Sequence, residues 1–146
     1  MLGLFIKSFR HFEESLRDED TTTKGLAGVI EDVPAFTLTT GGGAGMLTAD
    51  QLAAGYIRVN CDDAQNLATP TATAIRNSIK GARVGSGFEF AIANTGDATL
   101  TLTAGTGVTI TGTATVLTVN TKRFLVRITN MDTPTVTVYS LGPATT

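Results

Sequence analysis

Tryptophan is absent from this chain, and cysteine and histidine occur once each, as Cys61 and His11. One thiol excludes an internal disulfide and a cysteine-based zinc site. Cys61 therefore reads as a small buried hydrophobe, in a chain made or assembled in a reducing cytosol. One imidazole, with no second histidine and no cysteine near it in sequence, offers little to a metal centre or a catalytic triad. Charge is also scarce, at 16% of residues against the usual quarter or so. The balance of 11 basic and 13 acidic side chains, net −2, lacks the clustered basic excess that nucleic acid demands, so no nucleic-acid partner is expected. The longest apolar run near the N-terminus is "LGLFI" at residues 2–6, halted by Lys7. It is too short for a signal peptide or a membrane span, and no membrane partner is expected.

What the chain has instead is threonine, glycine and short apolar residues. Its 146 residues suit one domain with an appended arm, able to bury about two-thirds of its unfolded surface. A surface poor in charge and rich in Thr, Gly and Ala suits a protein covered by copies of itself or by a partner.

Residues 1–45 read as the arm. Leu2, Phe5, Phe9, Phe12 and Leu16 fall at spacings of 3 and 4, the stripe of one face of a helix over residues 2–17. Glu13 and Arg17 stand at i, i+4 in the favourable order. The acidic "DED" of residues 18–20 opposes the negative end of the helix dipole and stops it. Residues 1–20 hold three basic and five acidic side chains, the wrong sign for a membrane-surface helix. Burying the stripe contributes on the order of 8–15 kcal/mol gross, so it should be covered, either by its own body or by another subunit or protein. A Gly/Thr-rich linker follows. "AFTLTT" (residues 35–40) alternates like a strand, and residues 41–43 form a glycine hinge. "GGGAGMLTADQ" is no phosphate loop, because the lysine and the following Ser or Thr are missing.

Residues 46–146 read as a β-rich body. "LTADQLAAG" is a helical turn capped by Thr48 and stopped by Gly55, and "YIRVN" opens a strand. "ATPTATAIRNSIKGA" is a helix over about residues 71–80, capped by Thr69 or Thr71, with Pro70 in its first turn. Ala72, Ile75 and Ile79 share one face, and Gly81 ends it. Arg76, Lys80 and Arg83 form a basic row at its C-terminal end. That row is either a solvated, dipole-favoured face or a contact for an acidic partner.

From Gly87 onward, short alternating segments are separated by turns at roughly 8–12-residue spacing. The predicted fold class is mainly β: an antiparallel β-sandwich or barrel with one short helix and an N-terminal helical arm. Phe88, Phe90 and Ile92 should face inward, as should Leu100 and Leu102, then Phe124, Val126 and Ile128, then Val136 and Val138. Thr99, Thr101 and Thr103 lie on the opposite side, an uncharged hydrogen-bonding face that keeps good β-propensity. Uncharged strand edges invite pairing with other chains. Lys122 and Arg123 are the few residues that read as edge guards.

Candidate chemistry is sparse. Asp62 and Asp63 could bind a calcium ion with loop carbonyls or form a solvated turn. Glu89, opposite the Phe side of its strand, is a surface charge or an intersubunit ion pair. No nucleophile elbow, dinucleotide fingerprint or spaced carboxylate pair is present. The expectation is no enzyme, no cofactor and no metal.

The stretch from "TPTATAIRNSIKGARVGSGFEFAIANTGD" through "LTAGTGVT" and "RFLVRITN" to "TVTVYSLG", residues 69–142, resembles a β-rich module of tailed-bacteriophage virion proteins. That module occurs in capsid decoration (cement) proteins and in parts of fibres. The resemblance spans about half of the chain and carries no catalytic residue. It implies a homotrimer on the outer surface of a phage head, assembled in the host cytoplasm, with the major capsid protein as partner. The other reading is a trimeric fibre or spike component that binds a host-surface receptor. The absence of a shaft repeat and the presence of only two tyrosines, Tyr56 and Tyr139, favour decoration over glycan binding.

Overall fold

The structure is a computed structural model that describes residues 35–38 and 45–142, all within the unit Val33–Thr146. The strands are β1 (Ala35–Leu38), β2 (Gly45–Met46), β3 (Tyr56–Cys61), β4 (Gln65–Ala68), β5 (Gly87–Asn94), β6 (Leu100–Thr103), β7 (Val108–Thr111), β8 (Thr115–Val116), β9 (Asn120–Asn130) and β10 (Thr135–Leu141). Among the described residues two short helices, α1 (Ala49–Ala53) and α2 (Ala72–Ser78), interrupt them.

Ten strands form two sheets among the described residues, a six-stranded one in the order β1-β3-β5-β9-β10-β7 and a four-stranded one in the order β2-β4-β6-β8. Both are mixed, which corrects the antiparallel expectation. Only β9/β10, β5/β9 and β6/β8 run antiparallel; β1/β3, β3/β5, β2/β4, β4/β6 and β7/β10 are parallel. The cause is the path of the chain. From β1 to β7 each strand enters the sheet opposite to its predecessor. The return to the first sheet therefore brings the chain back in the same direction, with a strand of the other sheet in place of the usual crossover helix. Alternation of buried and exposed positions is the same for either direction of pairing.

One cluster of buried residues draws on both sheets. The six-stranded sheet supplies Ile57, Val59, Phe90, Ile92, Phe124, Val126, Ile128, Val136 and Val138, and the four-stranded sheet adds Leu67, Leu100, Leu102 and Val116. The predicted inward faces hold, with Phe88 half-buried against the rim of the core. Phe90 and Phe124 are cross-strand partners, stacked with centroids 5.2 Å apart.

The helices close around this core through their caps. Thr48 and Gln51 form a reciprocal capping box at α1, and Gly55 at φ +83° stops it. At α2 the cap is Thr71, whose hydroxyl accepts from the Ala74 N–H at 3.2 Å. Thr69 is instead buried and accepts from the Gly105 N–H at 2.8 Å. Ala72 and Ile75 are buried and Ile79 packs against the cluster. At the other end of β5, Asn94 is buried. Its amide donates to the Ala98 and Val116 carbonyls while its Oδ1 accepts from the Gly96 N–H, so one side chain ties the two sheets together. Gly96 lies against the Cys61 backbone, where a Cβ would stand 2.2 Å from both N and O.

Candidate functional site

Leu2, Phe5, Phe9, Phe12, Leu16 and His11, with the glycines of residues 41–43, lie outside the described residues. The remaining candidates are distributed over the body and do not converge.

The basic row does not present three free cations. Arg76 turns back on the protein: its guanidinium donates to the Met131 carbonyl at 3.2 Å and twice to the Asn77 Oδ1. It thereby ties α2 to the turn between β9 and β10. Lys80 and Arg83 are exposed. The Arg83 N–H donates to the Ser86 hydroxyl in the turn that leads into β5.

Asp62 and Asp63 are exposed in the loop after β3. Asp62 accepts from the Asn60 amide at 3.3 Å, the local bond of a turn-forming acid. No group of three or more His, Cys, Asp or Glu side chains able to hold a metal ion occurs among the described residues. Cys61 is wholly buried and its thiol donates to the Asp63 carbonyl at 2.7 Å. Burial pushes that thiol up from its ordinary value, and the neighbouring Asp62 and Asp63 charges add to the effect. Such a thiol is a poor nucleophile.

Lys122 and Arg123 are not edge guards, because β9 lies inside the six-stranded sheet between β5 and β10. Arg123 forms an ion pair with Glu89 of the adjacent strand, so Glu89 has its partner within the chain. The Lys122 ammonium donates to the Thr115 carbonyl at 3.3 Å, and burial pulls its pKa down from the ordinary lysine value. Lys122 lines an open cleft of about 950 Å³, together with Gly112, Thr115, Leu117, Ser140 and Leu141. Beside it Leu117 and Val119 stand 59% and 79% exposed. Val119 holds φ +51°, an unusual backbone conformation for a β-branched residue.

Among the described residues the outermost strands are β1 and β7 of one sheet and β2 and β8 of the other. Their sequences, AFTL, VTIT, GM and TV, contain no charged residue. Natural edge strands are commonly protected by inserted charge, which is missing here.

Sequence reasoning passed over a second set of cations. Arg123, Leu125 and Arg127 alternate along β9 on the face away from Phe124 and Val126. Register places Glu89 and Tyr139 beside Leu125, and Ala91 with Tyr56 on the Arg123 rung. Arg58 joins them from β3, level with Thr121. The signal was legible in "KRFLVRITN", where two arginines sit at the parity opposite to the core residues.

No protein-family model, curated protein or solved structure matches this chain.

Proposed function

We propose that this chain is a structural virion protein, a homotrimeric capsid decoration protein that binds the outside of a phage head and stabilises it. The observation that carries the proposal is the absence of charge from the four outermost strands among the described residues. Edge strands that carry no charged guard suit a protein whose edges meet other subunits. The body is a sandwich of two mixed sheets that presents threonine, arginine and tyrosine outward. The apolar stripe of residues 2–17, spaced in the sequence like one face of a helix, clamps the major capsid protein. Three weak arms on one trimer give strong avidity when all engage together.

Phage heads assembled without this chain test the reading. Purified protein should bind their outer surface saturably and raise the temperature at which the heads rupture. Replacing Phe5 and Phe9 by Asp should abolish uptake while the body stays folded, since each substitution puts an unpaired charge into an apolar contact. Heads that take up none of the native protein would refute the function. Full uptake of the double variant would refute the clamp.

A further inference from the structure

The face of the six-stranded sheet that points away from the core has a composition unlike the rest of the body. Three of the seven cations among the described residues lie on it, Arg58, Arg123 and Arg127, all exposed. Of the six described carboxylates, only Glu89 shares it. Asp62, Asp63, Asp97 and Asp132 sit in loops, and Asp50 sits in α1. Both tyrosines of the chain, Tyr56 and Tyr139, stand half-buried on the same face, beside half-buried Leu125 and Leu141.

The layout is set by the sheet. Residues two apart on a strand are separated by roughly 7 Å and adjacent strands by about 4.8 Å. Arg123 and Arg127 therefore stand about 13 Å apart along β9, with Leu125 and Tyr139 between them, and Arg58 lies about two strand spacings to the side. The platform is rigid, because its other side is the stacked Phe90–Phe124 core. Arg123 shares its charge with Glu89, and no ion pair involves Arg58 or Arg127 among the described residues; all three guanidinium groups are exposed and can meet a partner from solution.

Composition identifies the kind of partner. Arginine and tyrosine are the residues enriched at protein–protein hot spots, whereas lysine is depleted there. This outer face holds three arginines and no lysine. Guanidinium forks pair bidentately with carboxylates, and the tyrosines and leucines between them supply rigid apolar area. A nucleic-acid groove would call for a broad basic excess, but the described residues hold seven cations against six carboxylates.

We infer that the outer face of the six-stranded sheet docks a carboxylate-bearing protein surface, with Arg58, Arg123 and Arg127 pairing its acids around a Tyr56–Leu125–Tyr139 centre. The inference rests on the proposed attachment to a protein lattice, and names the side of the body that meets it and the chemistry it meets.

Two arms of one experiment test it on the full chain. In the first, decaglutamate is titrated into isotope-labelled protein at low salt, with a thymidine decanucleotide in parallel. Amide shifts should map to β9, β3 and β10 around the three arginines, weaken with salt, and fall at least tenfold in affinity when the three arginines are replaced by Gln. The matched variant R76Q/K80Q/R83Q should bind like the native chain. The triple Lys variant should recover only part of the affinity, because it restores charge without the planar fork. Shifts confined to α2, no shifts at low salt, or tighter binding of the oligonucleotide would each overturn the inference. In the second arm the same variants are offered to heads lacking the protein. Loss of uptake by the triple Gln variant alone supports the docking face, and unimpaired uptake overturns it. Heads that ignore the native chain refute the proposed function, and the peptide titration then decides the docking face by itself. All three arginines are exposed, so an unchanged melting temperature shows that the variants fold.

Discussion

Replacing Phe124 by Ala probes the centre of the fold. The side chain is wholly buried on β9, in the middle of the six-stranded sheet. Its ring stacks on Phe90 at 5.2 Å with 19° between the planes. On the β10 side its rung partner is Ser140, too small to fill the space that truncation leaves. The lost transfer free energy and the residual cavity together cost about 3–5 kcal/mol. About 0.5–1.5 kcal/mol of that belongs to the aromatic pair. For a domain of about 100 residues each kcal/mol lowers the melting temperature by roughly 4–8 °C, so a fall of at least about 12 °C is expected. Urea denaturation followed by circular dichroism gives the free energy directly, and a double-mutant cycle with Phe90→Leu isolates the pair. Phe88→Ala, at a half-buried position on the core rim, should cost distinctly less. A loss below about 1 kcal/mol at Phe124, or equal losses at Phe88 and Phe124, would refute the facing of β5 and β9 and the single core they share.

Gly96→Ala places a methyl 2.2 Å from the Cys61 backbone and should cost about 1–3 kcal/mol by overpacking. Gly142→Ala, with nothing within 4 Å, should leave the urea midpoint unchanged. Thr71→Ala removes the hydroxyl that accepts from the Ala74 N–H and should cost about 1 kcal/mol, read from the same midpoint. The Cys61 thiol is raised by burial, so the folded state keeps its proton at a pH where the unfolded state gives it up. Its contribution to stability is complete below the ordinary thiol value and is lost as pH rises through the folded one. A Cys61→Ala variant should therefore show a flatter stability profile on the alkaline side. Native Cys61 should also react with a disulfide reagent only after the protein unfolds.

The parts of the fold that the sequence announces are those where a side chain must satisfy a local rule. Thr48 and Gly55 bracket α1, and Thr71 caps α2, because helix ends leave backbone groups that only certain residues satisfy. Strands β5, β9 and β10 alternate in sequence because one face of each is buried. What stayed hidden depends on long-range geometry. Strand β4, "QNLA", buries only Leu67 and has no periodic signal of its own, and β2 is the dipeptide "GM". The parallel pairing follows from the path of the chain between sheets, which no residue spells out. Arg76 read as a free cation because its acceptor, the Met131 carbonyl, lies 55 residues away. Lys122 and Arg123 read as edge guards because strand order in a sheet is not written in strand sequence. The arginine–tyrosine face needed four strands in register before it became one surface.

The proposed function requires this chain to work as an assembled surface, with its uncharged edges and apolar stripe covered by copies of itself and a coat lattice. Sedimentation velocity of the purified full chain at micromolar concentration and moderate salt tests it most directly. One species of three times the 15.2 kDa chain mass is expected, persisting on dilution. A stable species of 15.2 kDa, with the N-terminal residues intact, would contradict it.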